Sequence, residues 1–263
     1  MKNQDLKKRY DQIYKEREDT FFSKFVDNTN VSETDAYVLA ATNWKGKSVL
    51  DAGCGTGKTA YLISQAGAKQ VVGIDFSEEA IKVARQRFSA ANLYYHCMEL
   101  HEWKDTVDVI VSCGTLEHMD RPWDTFAVMG KLIPVGGQII ITCPCFLNIR
   151  GFIWMALQTL LNVPMSLTDV HFISPFDIEE WLRDSPLQLV RAETFDYSRG
   201  NGPLMLTDLR KRLTNGLRDA SLNNTGVEAF IEWLGKVVNY IERNRAGALD
   251  GATALYMIEK VDG

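Results

Sequence analysis

The stretch Lys47-Ser-Val-Leu-Asp-Ala-Gly-Cys-Gly-Thr-Gly-Lys58 decides how the rest of the chain is read. Ser48-Val-Leu50 is a short, β-branched apolar run that stops at a glycine turn. That is the pattern of a strand buried on both faces. Glycines follow at alternate positions, 53, 55 and 57. Thr59 to Ala66 has helix composition, and Gly67 is placed to end it. A strand, a glycine loop and a helix start together make a nucleotide-binding turn. Without side chains, the loop backbone can approach a ligand closely. The helix start adds unbonded N–H groups and partial positive charge, which suit a carboxylate or a phosphate.

Three ligands compete for such a turn. A dinucleotide fold wants G-x-G-x-x-G. Counting from Gly53, the sixth position is Lys58, so the third glycine comes one residue early. A P-loop wants G-x-x-x-x-G-K-[ST]. Gly57-Lys58-Thr59 completes that pattern, but Ala52 stands at its first glycine. The third ligand is a sulfonium nucleoside. The following residues separate the three. Gln70-Val-Val-Gly-Ile-Asp75 is a second buried strand ending in an acid, with Phe76 after it. Asp75 lies about 20 residues past the loop, the spacing of a carboxylate that accepts both ribose hydroxyls. A P-loop site, whose ligand is anionic, has no use for that acid. Thr106 to Ser112 is a further strand. It delivers Cys113, Gly114 and Thr115 to the carboxyl edge of the sheet, where open α/β sheets bind ligands. Leu116-Glu-His118 follows, and Lys131-Leu-Ile-Pro-Val-Gly-Gly137 turns the chain into the strand Gln138 to Cys143.

In this order, Val49 to Gly57, Asp75, Val107-Asp108 with Leu116-Glu117-His118, and Lys131 to Gly137 resemble the successive motifs of class I S-adenosylmethionine-dependent methyltransferases. The resemblance covers roughly residues 45 to 145. It implies an α/β fold: a Rossmann-like, seven-stranded, mostly parallel sheet of order 3-2-1-4-5-7-6, the last strand antiparallel, with helical additions. It implies S-adenosyl-L-methionine as cofactor, S-adenosyl-L-homocysteine as product, and a small-molecule acceptor methylated at oxygen or nitrogen. It assigns cofactor contacts to Asp51, Gly53, Cys54, Gly55, Gly57, Asp75 and Phe76, to Met98 or Glu99 at the adenine edge, and to Cys113 near the methionine part. Tyr10 and Tyr14 lie on the helical stripe of a polar N-terminal segment. Such segments fold over the cofactor in this family, which makes Tyr14 a further contact. The apolar helix expected from Asn148 to Leu161 is similar to one in ubiquinone-pathway O-methyltransferases, where it approaches lipid-like substrates. Those enzymes also carry an acid three residues before their Glu-His pair, suggestive of a metal site. Gly114 stands there in this chain, so no metal is expected.

The length of 263 residues suits one methyltransferase domain. It carries N-terminal helices over 1–43, a substrate-side insert over 144–174 and a helical insert over 200–248. In the last, Thr225-Gly-Val-Glu228 fits a capping box. The stripe Val227, Phe230, Ile231, Leu234, Val238 and Ile241 then marks an amphipathic helix. This pair of helices is either a lid or a homodimer surface. A net charge of −5 argues against a nucleic-acid binder. Five cysteines and no signal peptide point to the cytoplasm. Gly151 to Leu161, the most apolar stretch, falls short of the roughly 20 residues a bilayer span needs. A hydroxyl acceptor usually needs a base, and histidine serves near neutral pH. His118 at the fourth strand's edge and His171 in the insert are the candidates. His118 has a second reading, as a residue that fixes its loop with Glu117. A P-loop NTPase and a non-catalytic S-adenosylmethionine-binding protein stand as alternatives.

Overall fold

The first described helix, α1 (Glu33–Ala41), starts at a capping box closed by Ser32 and Asp35. Ser32 Oγ accepts from the Asp35 N–H, and the Asp35 carboxylate accepts from the Ser32 N–H. Strands and helices then alternate: β1 (Ser48–Ala52), α2 (Lys58–Gln65), β2 (Gln70–Asp75), α3 (Glu78–Arg87), β3 (Leu93–Cys97), β4 (Val109–Cys113), α4 (Pro122–Lys131) and β5 (Gln138–Pro144). The second half holds α5 (Ile149–Leu161), α6 (Pro175–Leu182), β6 (Leu187–Phe195), α7 (Pro203–Asp219), α8 (Val227–Arg243) and β7 (Thr253–Lys260). The computed structural model describes residues 31–163, 165, 169–243 and 251–262. Tyr10 and Tyr14 lie outside them.

The sheet has the order β3-β2-β1-β4-β5-β7-β6. The first five strands pair in parallel, and β7 runs antiparallel to both β5 and β6. This is the expected Rossmann-like arrangement. Alternation along the strands fills two cores. Leu50, Val72, Ile110 and Ile139 face Phe126 and Met129 of α4 and Ile178 of α6. Val49, Val71, Val109 and Ile140 face Val38 of α1, Ile63 of α2 and Ile81 of α3. Each such side chain, removed from water, contributes about 1.5–3 kcal/mol.

The two inserts that the sequence separates share a third core. Trp154 of α5, Met205, Leu209 and Leu213 of α7, and Val227, Ile231 and Leu234 of α8 pack together. An ionic clamp reinforces the contact. Arg150 and Arg212 each donate from Nε to Asp208, at 3.0 and 2.8 Å. Both guanidinium carbons lie over the Trp154 ring, 4.3 and 4.6 Å from its centroid. Buried Asn148 joins this layer to the sheet. Its Oδ1 caps α5 at the Gly151 N–H, while its amide donates to the carbonyls of Cys145 and Gly251.

Three boundaries differ from expectation. β4 begins at Val109, because Val107 and Asp108 spend their N–H groups on Leu132 and Ser48 carbonyls. The capping box at Thr225 does not form. Helix α8 begins at Val227, and the Thr225 N–H and hydroxyl both donate to Asn223 Oδ1. The sequence extends the sixth strand from Leu187 to Tyr197, but β6 stops at Phe195, where Asp196 takes a left-handed conformation (φ 56°).

Asp35 supports both ends of this framework, since it also pairs with Lys58 Nζ at 2.8 Å. Burial alone would raise its pKa. The Lys58 and Ser32 hydrogen bonds outweigh that and hold it below the usual carboxylate range. Stability from such a group is present above the ordinary value of about 3.9 and is lost as pH falls through the lowered one. Asp35→Asn is expected to cost about 2 kcal/mol at pH 7, between the values for exposed and fully buried pairs. Urea denaturation should show wild type and variant converging only in acid.

Candidate active site

The glycine loop is fixed from beneath by the end of β2. The Gly53 and Cys54 N–H groups both donate to the Ile74 carbonyl, at 2.9 and 3.0 Å. Asp75 then grips the chain on either side: Oδ2 accepts from the Gly55 N–H at 3.0 Å and Oδ1 from the Ser77 N–H at 2.9 Å. Two glycines are required sterically. Gly53 and Gly57 have φ of +82° and +84°. A Cβ at Gly53 would meet the Thr115 side chain at 2.5 Å, and one at Gly57 would meet Tyr95 Oη at 2.5 Å. The Tyr95 hydroxyl donates to the Gly57 carbonyl, so that approach is itself bonded. Gly55 also has positive φ, +51°. Cys54 is turned the other way. Its thiol sits in the core against Gly73, and burial, with Asp51 and Asp75 nearby, pushes its pKa well up. It offers a ligand no side chain.

The P-loop alternative finds no support. Its lysine, Lys58, is held by Asp35, and the Thr59 hydroxyl donates to the same carboxylate at 3.3 Å. Asp51 sits under the loop on the α2 face. It is 1% exposed, and its Oδ2 has no partner among the described residues. Burial, with Asp75 adding repulsion, pushes its pKa up to about 7 against the pull of the Ala60 N–H.

Next to Asp75, β3 ends at Cys97. Met98 donates its N–H to the Asp75 carbonyl and packs partly buried on the sheet. Glu99 is exposed and reaches His101 Nδ1 at 3.3 Å. Phe76 is half-buried, and its carbonyl accepts from the Cys97 thiol. Cys113 closes β4 beside Thr142, and burial raises its thiol pKa. Thr115, lying against Gly53, begins a 3-10 turn over Leu116–His118.

That turn gathers both histidines. His118 Nδ1 lies 3.3 Å from Asp169 Oδ1, in side chains about one-seventh exposed (15% and 14%). The Glu117 carbonyl accepts from the N–H groups of Val170 and His171, at 2.8 and 3.0 Å. His171 Nε2 sits 3.1 Å from the Asp120 carbonyl, and its ring meets Trp123 edge-on at 5.5 Å. The Glu117 carboxyl is buried, with Oε2 unpartnered among the described residues. Burial chiefly, and Asp169 in part, push its pKa up to about 8. Asp169 and the Asp35–Lys58 pair escape sequence reading, because nothing in local pattern links residues so far apart. Among the described residues no group of three or more His, Cys, Asp or Glu is arranged to hold a metal ion. Gly114 brings no carboxylate to this turn.

A sheet of this order with a glycine loop closed by an acid defines a nucleoside-binding α/β protein of methyltransferase type. Residues 49–137 match the family described as a methyltransferase domain. The chain is 30% identical over 163 residues to the ubiquinone biosynthesis O-methyltransferase of Aromatoleum aromaticum, covering 58% of this chain and 69% of that protein. It is 32% identical over 155 residues to that of Sodalis glossinidius, covering 54% of this chain but only 61% of that relative's length. The chain belongs to the class I S-adenosylmethionine-dependent methyltransferases. A mycolic acid cyclopropane synthase solved with S-adenosylhomocysteine shares the fold, with a TM-score of 0.57, 18% identity, and 97% and 95% of the two chains covered. S-adenosylmethionine is the cofactor. The site fits it: Asp51 Oδ2 is an orphaned buried acceptor under the loop, and Asp75 stands at the loop's edge.

Two outcomes are expected. In calorimetric titration, Asp75→Ala should weaken S-adenosylhomocysteine at least about tenfold, since charge-assisted hydrogen bonds are worth roughly 1.5–3 kcal/mol each. ATP–Mg²⁺ should give no binding to wild type. Glu117 binds a proton more tightly folded than unfolded. Its contribution is therefore complete below the ordinary value of about 4.3 and is lost as pH rises through about 8. Thermal melts of Glu117→Gln should match wild type near pH 5 and exceed it by several degrees at pH 9.

Proposed function

We propose that the protein transfers a methyl group from S-adenosylmethionine to an oxygen or nitrogen of a small-molecule acceptor, and that a hydroxyl suits its site best. One observation carries this reading: the turn that begins at Thr115, against the glycine loop, ends at an imidazole. The bound cofactor supplies an electrophilic sulfonium methyl. The chain must hold a nucleophile in line with it and keep water away. A neutral amine needs nothing more, whereas a hydroxyl needs its proton removed. His118 is the proposed base, and His171 lines the acceptor side. Asp51, Gly53, Gly55, Gly57, Asp75, Phe76, Met98, Glu99 and Cys113 are the proposed cofactor contacts. The relatives' description as O-methyltransferases supports oxygen.

The layer of α5, α7 and α8 is proposed as the acceptor's cover rather than a dimer surface. Its support is the shared core, which makes the inserts over 144–174 and 200–248 one unit. It meets the sheet through Asn148, next to the carboxyl end of β5. A soluble, cytoplasmic setting is proposed. Among the described residues the cysteines form no disulfide, and no helix is long and apolar enough to cross a membrane. The net charge of −5 favours a small molecule over nucleic acid.

The test is transfer of a labelled methyl from S-adenosylmethionine to a panel of phenols, catechols, hydroxy acids and amines. Label is expected in hydroxyl products. His118→Ala should lower kcat about 100-fold or more, with S-adenosylhomocysteine affinity unchanged. Label in amines alone, or a fully active variant, would sink the hydroxyl reading.

A further inference from the structure

We propose that the junction of α5 and α7 is an anion site, and that it seats a carboxylate carried by the methyl acceptor. Arg150 and the Trp154 indole N–H are its donors. The proposal rests on the methyl-transfer reading above and narrows the acceptor to a hydroxyl compound that also bears a carboxylate.

Two side chains carry it independently. Trp154 is 2% exposed, and its Nε1–H has no acceptor among the described residues. A buried donor without an acceptor is destabilising, and native proteins keep few of them. Arg150 is 8% exposed. Of its five N–H donors the described bonds use one, from Nε to Asp208 at 3.0 Å. Its guanidinium carbon lies 4.3 Å from the centroid of the Trp154 ring. Stacking fixes the guanidinium plane without using its N–H groups. The unused Nη donors and the indole N–H therefore belong to one small patch. A planar oxyanion matches that set, because its two oxygens can take the guanidinium fork and still accept from the indole.

The charges agree. Asp208 is one carboxylate shared by two guanidiniums, those of Arg150 and Arg212. Arg199, the next cation, is matched by Asp196 at 2.9 Å. The cluster thus keeps one positive charge beyond what its acids neutralise. Burial, with Arg212 and Arg199 adding repulsion, outweighs the pull of Asp208 and holds the Arg150 pKa below its ordinary value. One added negative charge balances the cluster, which favours a carboxylate over a phosphate dianion. The patch also connects with the histidine turn. The Thr142 carbonyl of β5 accepts from the Gly114 N–H, and the chain passes from that strand through Phe146 into α5. Phe146 meets the Trp154 ring at 5.9 Å and the Phe172 ring edge-on at 4.9 Å. Phe172 directly follows His171, proposed above to line the acceptor side. Two ring contacts therefore join the anion donors to that side. The Arg212 side chain is 34% exposed, so the cluster is not sealed from solvent.

The test uses the full chain saturated with S-adenosylhomocysteine. In a ¹H–¹⁵N spectrum of its six tryptophan indoles, Trp154 is assigned from Trp154→Phe, which keeps an aromatic ring and removes the N–H. Millimolar benzoate is expected to move the Trp154 indole proton downfield. Benzamide, its neutral counterpart, should leave it in place, and Arg150→Gln should abolish the benzoate shift. In turnover, each hydroxy acid of the labelled panel is compared with its primary amide. The acid should be methylated at least about tenfold better in kcat/KM. Trp154→Phe, chosen to spare the packing, should lose most of that preference through KM, with the amide changed by less than about twofold. Equal turnover of acid and amide in the wild type, or an equal loss for both in the variant, would make the cluster a structural clamp and overturn the proposal. An indole proton that ignores benzoate would overturn it too, as would one that moves with inorganic phosphate alone. A benzoate shift beside a panel that takes no label would leave the anion donors in place and remove the methyl-transfer reading instead.

Discussion

One carbonyl sets the position of the active edge. Ile74 O receives the N–H groups of both Gly53 and Cys54, so the glycine loop is bonded to β2 before any ligand arrives. The loop must then pass beneath Thr115 on one side and against Tyr95 on the other, with no room for a Cβ at either place. These close approaches tie three strands together at one point. β2 contributes Ile74 and Asp75, β3 contributes Tyr95, and the turn after β4 contributes Thr115. A shift of the loop would move Asp75's grip on Gly55 and the entry to the His118 turn together. The alternation of apolar residues builds the sheet, but this contact decides where on the sheet chemistry can occur.

The sheet and its motifs were legible in the sequence because they are written locally. Val49-Leu50, Val71-Val72 and the isoleucines of β5 are apolar runs too short for helices and bounded by turn residues. The glycines at 53, 55 and 57 announce their own backbone conformation. The helix starts at Ser32, Ser77 and Ser174 carry side chains that cap within three residues. Contacts across the fold were not legible. Nothing near Lys58 indicates that Asp35 will hold it, and nothing near His118 indicates Asp169. Thr225 shows the reverse failure. A plausible local pattern lost to Asn223, whose Oδ1 takes the Thr225 N–H that the Glu228 carboxylate would have accepted. The tyrosines at 10 and 14 fall outside the described residues, so that part of the reading stands as sequence alone.

The helical layer shows how tertiary structure can rewrite a domain outline. Read along the chain, residues 144–174 and 200–248 are two inserts with different purposes. In the fold they bury each other's apolar faces, and Asp208 binds an arginine from each. Two guanidiniums against the Trp154 ring make the contact specific as well as apolar. The two inserts therefore form one packed body. Asn148, bonded to β5 on one side and to the approach to β7 on the other, is where that body meets the sheet. Residues 169–171, whose Val170 and His171 N–H groups donate to the Glu117 carbonyl, lie between α5 and α6 in the chain.

Electrostatics separates the possible ligands of the loop more sharply than its glycines do. Asp35, Asp51 and Asp75 all lie around it, and Lys58, the nearest basic residue in the motif, is already paired. Asp51 is buried beside Asp75, and the repulsion between them helps keep its proton on near neutral pH. A phosphate brought here would add negative charge to an acidic, poorly hydrated pocket, and no lysine would be released to meet it. A ligand with hydroxyls and a cationic centre has the opposite effect. At the proposed contacts its hydroxyls would give Asp75 further donors, and its positive charge would favour ionised Asp51. The same residues that look like a near-match to a phosphate loop therefore favour, by charge, a cationic nucleoside over a phosphate.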